Sequence, residues 1–412
     1  MKRLGNYLFP TWIIILVVFL VSGLGAAGIV FSRGLIVTNL SDLVPWGLWI
    51  TIDLSAVGLG AGAFLLSAAV YLLGIKRLAP VARTAVFIGF IAYTMACMTL
   101  LLDIGRPDRF WHAVAFWNIH SPLWEVTMCV TIYLTVLSLE VLPLLGRAPW
   151  FSRRLPAVAA HLQHIHHYAP LLAVVGLVLS LLHQSSLGAT YAVLKARPIV
   201  YRPSLAVLFI ASAFVAGPAL TVLASKVSAL ITPRARVKDA LLDPISRFVG
   251  WALVAYVYLR FWDMLAMSYT YEPGRSEGLR VLTTGVLSFN FWIGEVLLGA
   301  IVPMIILLSS RLRRQPHLHL LALICIVGGL VAYRWDTNLV SQLVVFNYLP
   351  QDLAPRYTGY VPSLVEALAG AGVVAYGFLM FTLGVRYLNI VDHHESVGHA
   401  PQSTTLAAGA AD

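Results

Sequence analysis

The chain has 412 residues, 59% of them hydrophobic and only 11% charged, with a mean hydropathy of +0.83 and a formal net charge of +10. A soluble domain carries roughly 25% charged residues, and half that charge does not cover a 45 kDa globule, so a cytosolic enzyme, a nucleic-acid binder and a disordered scaffold are all excluded. The surface must face lipid: apolar runs of more than about eighteen residues without alternation indicate helices rather than a β-barrel, and the excess of Lys and Arg reads as basic loops.

Met-Lys-Arg at the N-terminus leads into an apolar run from Leu8 to Phe31. It is long enough to span and reads as a retained helix, although Gly23 to Gly28 offers the small residues of a cleavage site. Ten segments reach the roughly twenty apolar residues that a span needs. They lie near 9–31, 46–74, 81–102, 121–145, 168–190, 203–224, 246–268, 281–309, 316–334 and 361–387. The expected fold is all-α and polytopic, with about ten transmembrane helices in a single integral membrane domain over 1–390. Two four-helix bundles, about 46–190 and about 203–334, with flanking helices, are the expected arrangement. A flexible cytoplasmic tail is expected over 391–412.

Basic residues set the orientation. Loops on the side of the chain ends hold seventeen Lys and Arg, and the opposite loops hold ten. Both termini are therefore predicted to be cytoplasmic, with the 191–202 loop and its three basic residues running against the trend. The outer loops 32–45, 103–120 and 335–360 carry Trp, Tyr, Pro and Asn. Such loops cap a site or dock a partner.

An ionisable residue inside a span is costly unless it is paired or lines a wet cavity. Asp53 falls about two turns into the second span, which enters from outside near Trp46. The third span ends outward at Asp103, and Glu125 lies about one turn into the fourth. His183 sits about two turns before the outward end of the fifth. Acids and a histidine from four helices thus converge on the outer third of the membrane. The intervening loop adds Arg106, Asp108, Arg109 and His112. For Asp103 and that loop, an ion-pair network locking the loop onto the helix ends is the competing reading. It fits worse for the deeper Asp53, Glu125 and His183.

In the second half, Arg260 and Asp263 share a helix face. Arg334 and Asp336 flank Trp335 at what reads as an outer helix end, and both pairs read as structural. Glu295 and Asn290 lie mid-span, as a second polar path or as a hydrogen bond between helices. On the fourth span, Glu125, Cys129, Tyr133, Val136 and Glu140 form one stripe at helical spacing. That stripe offers a proton path from inside to outside; alternatively, Glu140 meets lipid headgroups beside Arg147. His183 is the one histidine deep in a span, so a bis-His haem is not expected. His161, His164, His166 and His167, at the cytoplasmic mouth of the fifth span, read as a solvated loop. Cys97, Cys129 and Cys325 form no CxxC, so no cysteine-ligated metal site is expected.

Three motifs carry a family resemblance. They are Asn39-Leu-Ser-Asp-Leu-Val-Pro-Trp-Gly-Leu-Trp-Ile50 followed by Asp53, Asp103-Ile-Gly-Arg-Pro-Asp-Arg-Phe-Trp-His112, and Trp117-Asn-Ile-His-Ser-Pro-Leu-Trp-Glu125. Together they resemble the NrfD/HybB-like family of membrane subunits. The motifs cover the first half closely, and the ten-helix pattern extends the match to the ten-helix members: the HybB-type hydrogenase subunit, the DsrP type and the quinone-reductase subunit of the Qrc complex.

The resemblance implies a haem-free, quinone-interacting subunit of a respiratory oxidoreductase in the bacterial inner membrane, not active alone. It implies a periplasmic iron–sulfur partner of the four-cluster type, beside a multihaem cytochrome or a catalytic oxidoreductase subunit. Electrons would pass between that partner and menaquinone or ubiquinone at a site near the outer face, with no haem or iron–sulfur cluster in this chain. On this reading Asp53, Glu125 and His183 polarise the quinone carbonyls and relay protons. Trp46, Trp49 and Trp124 line the slot or serve as interfacial anchors. Asp103, Arg106, Arg109 and His112 complete the quinone-binding set, and Glu125, Tyr133 and Glu140 form the proton path. Two competing readings are a proton-coupled transporter, which favours mid-membrane sites in paired halves, and a purely structural anchor, which leaves Asp53, Glu125 and His183 unexplained.

Overall fold

A computed structural model describes residues 2–232, 237–269, 271–347, 354–388 and 390; the expected tail over 391–412 lies outside the described residues. Among the described residues, ten helices are long and apolar enough to cross a membrane: α1 Leu8–Arg33, α2 Leu48–Tyr71, α3 Lys76–Asp103, α4 Pro122–Arg147, α5 Ala169–Ala192, α6 Ser204–Ile231, α7 Asp239–Tyr269, α8 Asn290–Leu308, α9 Pro316–Leu343 and α10 Leu364–Tyr387. The strands among the described residues are β1 Val344–Phe346 and β2 Pro355–Tyr357, antiparallel, with Val345 opposite Arg356. The all-α polytopic architecture is as the composition predicts, and the chain is an integral, multi-pass membrane protein.

Ten crossings among the described residues put Leu8 and Tyr387 on the same side. We call that side the proximal face and the opposite side, with the loops after α1, α3, α5, α7 and α9, the distal face. The helices differ in what surrounds them. In its most apolar stretch α2 is 78% buried and α1 only 22%, so α2 is central and α1 peripheral. Helix α6 joins the parts of the molecule, packing against α2, α3, α5, α7 and α9.

Lipid tails are as apolar as leucine, so helices in a bilayer associate through close packing rather than through loss of water. Small residues do this here at three crossings. Gly23 of α1 meets Gly372 of α10, Gly62 of α2 meets Gly217 of α6, and Gly299 of α8 meets Gly329 of α9. At each, a Cβ would fall on the backbone of the facing helix.

Several boundaries differ from the sequence reading, and two of these differences bear on the buried polar residues. Helix α8 starts at Asn290 rather than near 281, because Arg275–Thr283 forms a separate amphipathic helix on the distal side. Residues Asn290–Ile301 are wound as a π-helix, a rare conformation associated with functional sites. Helix α9 continues to Leu343, nine residues past the expected end at 334. Arg334 and Asp336 are therefore not end charges: both are buried inside the bundle, at 0% and 1% exposure. The polar residues that follow, Thr337, Asn338, Ser341 and Gln342, are buried as well. A polar run ends a span that faces lipid, but it continues one that faces protein partners.

The glycine crossings give a paired expectation. Gly217→Val puts a branched side chain onto the α2 backbone, and overpacking of this kind costs about 1–3 kcal/mol or more. We expect a clear fall in melting temperature and folded yield in detergent. Gly25→Ala, at a position with open space around it, should leave melting unchanged or slightly raised. Equal effects of the two would show that close packing at these crossings is not what holds the helices.

Candidate functional site

Asp53 lies on α2 at 3% exposure, and its Oδ1 has no hydrogen-bond partner among the described residues. An unpaired carboxyl so deep costs several kcal/mol. The charged side chains that act on it are Asp103, at the end of α3, and Arg334 of α9. Asp103 also has an enclosed Oδ1 without a partner among those residues. The α5 ring of His183 is 1% exposed, and its Nδ1 lies 3.0 Å from the hydroxyl of Tyr93 on α3. Tyr93 packs edge-on against Tyr133 of α4, with ring centroids 4.5 Å apart. Helices α3, α4 and α5 thus contribute one buried cluster of Tyr93, Tyr133 and His183, and Asp53 of α2 acts electrostatically on Tyr93. The sequence reading placed neither Tyr93 nor Arg334 at the site. A tyrosine within an apolar run gives no signal of its own, and Arg334 was hidden by the misplaced end of α9.

The entrance to α2 is held by side chains from α9 and α5. Asn338 donates from Nδ2 to the carbonyls of Trp46 (3.1 Å) and Gly47 (3.0 Å) and to Thr51 Oγ1 (3.1 Å). The Tyr191 hydroxyl donates to Asn338 Oδ1 at 2.8 Å, and Gln342 both accepts from the Trp46 amide and donates to its carbonyl. Trp46 lies edge-on to Tyr191 at 5.1 Å. On the other side, Glu366, buried at 1%, accepts from the amides of Asn39 and Ser363 and from the Tyr360 hydroxyl. Burial, then the bond to Glu366, raises that hydroxyl above its ordinary range. The first turn of a helix leaves backbone donors unpaired, and Tyr360 accepts from the Leu48 amide at 2.9 Å. These bonds fix where Asp53 stands.

The other expected site residues are spread over different roles. Trp49 is almost fully buried and donates its indole N–H to the Glu366 carbonyl, packed with Ala26, Val30, Leu102 and Val373. It wedges α1, α2, α3 and α10 together. Trp124 donates to the Ala113 carbonyl at 2.8 Å and clips the short helix His112–Ala115 to α4. Glu125 stands in the first turn of α4, partly buried, after the Ser121 cap. Arg106 and Arg109 are exposed on the distal loop, where Arg106 grips Asp108 with two bonds of 3.1 Å. The Arg106 hydrogen bond holds the Asp108 carboxyl below its usual range. His112 packs edge-on against Trp111 and Phe116 in that loop. Asp53 thus feels Asp103 and acts on Tyr93, the partner of His183, whereas Arg106 and Arg109 are exposed and His112 is only partly buried.

Glu140 lines a cavity of about 90 Å³ near the proximal end of α4, with Ser67, Tyr71, Arg83 and Arg147. Tyr133 lies between Glu140 and Glu125 on the same helix and is 1% exposed. In the second half, Arg202, Arg260, Asp263 and Glu295 are joined in ion pairs, whereas Arg334 has none among the described residues. Arg260 donates to Glu295 at 2.8 Å and to Asp263 at 3.1 Å, and Arg202 grips Asp263 at 2.8 and 3.0 Å. Glu295 is thus a tie between α7 and α8, and Asn290 bonds Asp336 at 2.8 Å. Among the described residues, no group of three His, Cys, Asp or Glu side chains converges as a metal site.

Comparison with known proteins follows the same line. The family model described as polysulphide reductase, NrfD, matches residues 36–345. The menaquinone reductase integral membrane subunit of Nitratidesulfovibrio vulgaris is 34% identical over 391 residues, 93% of this chain and 92% of that protein. The Hdr-like menaquinol oxidoreductase integral membrane subunit of Archaeoglobus fulgidus is 22% identical, over 95% of this chain and 96% of its own. Protein NrfD of Escherichia coli is 26% identical over 284 residues, 64% of this chain and 85% of its own. The family match and the end-to-end likeness to the menaquinone reductase subunit show that the chain belongs to the polysulphide reductase NrfD family.

Proposed function

We propose that the chain is the quinone-reactive membrane subunit of a multi-subunit respiratory oxidoreductase. It exchanges electrons between an iron–sulfur partner on the distal side and the membrane quinone pool. Menaquinone is favoured over ubiquinone by the names of two relatives, a menaquinone reductase and a menaquinol oxidoreductase. The observation that carries the reading is buried Asp53, which feels Asp103 and acts on Tyr93 of the Tyr93–His183 pair, with two carboxyl oxygens unpartnered among the described residues. Unsatisfied buried acids are an expense that an anchor has no use for. Their place toward one face also differs from the mid-membrane sites of transporters.

Reduction of a quinone takes up two electrons and two protons, and the ring chemistry is the quinone's own. This chain supplies an apolar enclosure and proton donors. Asp53 stands ready to hold or give up a proton at Oδ1, and the Tyr93 hydroxyl and His183 imidazole form a second proton-handling pair. Asp103 and Glu125 connect this set to the distal face, within the expected first bundle over about 46–190. Arg106 and Arg109, exposed beside His112, present charge to the iron–sulfur partner. The cavity at Glu140 and the Tyr133–Tyr93 contact support a proton route from the proximal face; a cavity of that size holds water. The seventeen-to-ten excess of basic residues supports a cytoplasmic proximal face, with both termini inside a bacterial inner membrane. A multihaem cytochrome or a catalytic oxidoreductase chain makes up the rest of the complex.

In the purified complex, Asp53→Asn should leave the set of co-purifying chains unchanged and lower turnover of a soluble naphthoquinone by about 10²–10⁴-fold, the usual worth of a positioned acid. Normal turnover in that variant overturns the assignment of the site. Glu140→Gln, reconstituted in liposomes with an internal pH dye, should retain quinone turnover and lose proton uptake from the proximal side. Proton uptake equal to that of the unmodified complex removes Glu140 from the route.

A further inference from the structure

Arg334 is a fully buried arginine with no carboxylate in contact among the described residues. Arg260 pairs with Glu295 and Asp263, Arg202 with Asp263, and Arg313 with Asp243. Arg334 stands instead with its guanidinium 3.6 Å from the centroid of the Phe209 ring and donates from Nη2 to the Phe209 carbonyl (3.3 Å) and Ser212 Oγ (3.1 Å). Nε and Nη1 have no partner among the described residues. A charge left unpaired in a bundle core costs several kcal/mol, and a guanidinium keeps its charge at any ordinary pH.

The groups around it show where those free donors are useful. Asp53 and Arg334 act on each other electrostatically, yet no ion pair joins them, and each retains an unpartnered polar atom. The bonds to Phe209 and Ser212 anchor Nη2 on α6. Gly58 of α2 leaves the guanidinium room: a Cβ there would come within 3.4 Å of Arg334 Nη2. A buried guanidinium with two free donors and a buried acid with a free oxygen fit a ligand with an electron-rich oxygen.

We propose that Arg334 is a substrate-binding residue of the quinone site, contributed by the second half of the chain and donating N–H to a quinone oxygen opposite Asp53. The proposal rests on the quinone-reactive reading above and adds a residue to it. As two electrons arrive from the iron–sulfur partner, negative charge builds on the quinone oxygens. Arg334 stabilises that charge without giving up a proton, while the two protons come from Asp53 and the Tyr93–His183 pair, leaving a neutral quinol. A fixed donor aimed at developing charge is worth about 10²–10³-fold in rate.

The test uses the intact complex with dimethylnaphthoquinone. Arg334→Met should lower kcat/KM by about 10²-fold with a raised KM, and Arg334→Lys should recover part of the loss. The infrared carbonyl stretch of the bound naphthoquinone should move to higher frequency in Arg334→Met, a change that a merely structural role would not produce. Unchanged kcat/KM and an unmoved stretch in Arg334→Met, with Asp53→Asn still inactive, overturn the role of Arg334 and leave the quinone reading standing. Should Asp53→Asn also be fully active, the quinone reading falls as well. If Arg334→Met does not assemble, Ser212→Ala decides. It frees the guanidinium from one anchor while keeping its charge, and a raised KM with a shifted carbonyl stretch supports the proposal, whereas unchanged values overturn it.

Discussion

Hydrocarbon supplies no hydrogen bonds, so each polar group inside the bundle must find its partner in the protein. That constraint orders the whole molecule. Backbone groups meet it by winding into helices, and almost every polar side chain of the second half meets it through ion pairs or amide bonds. Arg202, Asp263, Arg260 and Glu295 form one such closed chain across α7, α8 and the start of α6. Against this background the exceptions stand out. Among them, Asp53, Asp103 and Arg334 keep polar atoms unpartnered among the described residues, and Asp103 and Arg334 both act electrostatically on Asp53.

The same constraint explains the stiffness of the site. Asn338 spends its amide on the carbonyls of Trp46 and Gly47 and on Thr51, where α2 begins. Its oxygen is taken by Tyr191 and Gln342. The helix that carries Asp53 is thereby registered against α9 and α5 before any substrate arrives. Preorganisation of this kind lets a charge form in a low-dielectric setting without reorganising its surroundings.

Much of this was legible in the sequence. Hydropathy alone located the ten spans to within a few residues at most ends, because a bilayer enforces their length. Counting turns singled out Asp53 and His183, and both side chains are almost fully buried. The reading failed where burial depends on neighbours rather than on local composition. Arg334 and Asp336 looked like the end of a span, since a sequence does not show that α6 and α8 cover them. Trp49 looked like a slot lining and is a wedge bonded to the Glu366 carbonyl. Tyr93 carried no signal, because a tyrosine in an apolar run gains meaning only from the His183 ring that faces it.

The pairing of the first span with the last has a consequence for biogenesis. Gly23 of α1 packs on Gly372 of α10, Trp12 donates to Thr382, and Glu366 of α10 caps the segment at Asn39 and supports Trp49. Helix α1 leaves the ribosome before α2 to α9, and its partner α10 only after them. Until then α1 stays in the bilayer without its seat, and the entrance to α2 lacks one of its walls. The closing of α10 is thus the step that completes the distal entrance, so that a chain interrupted before Leu364 is left with an unfinished surface for quality-control proteases to recognise.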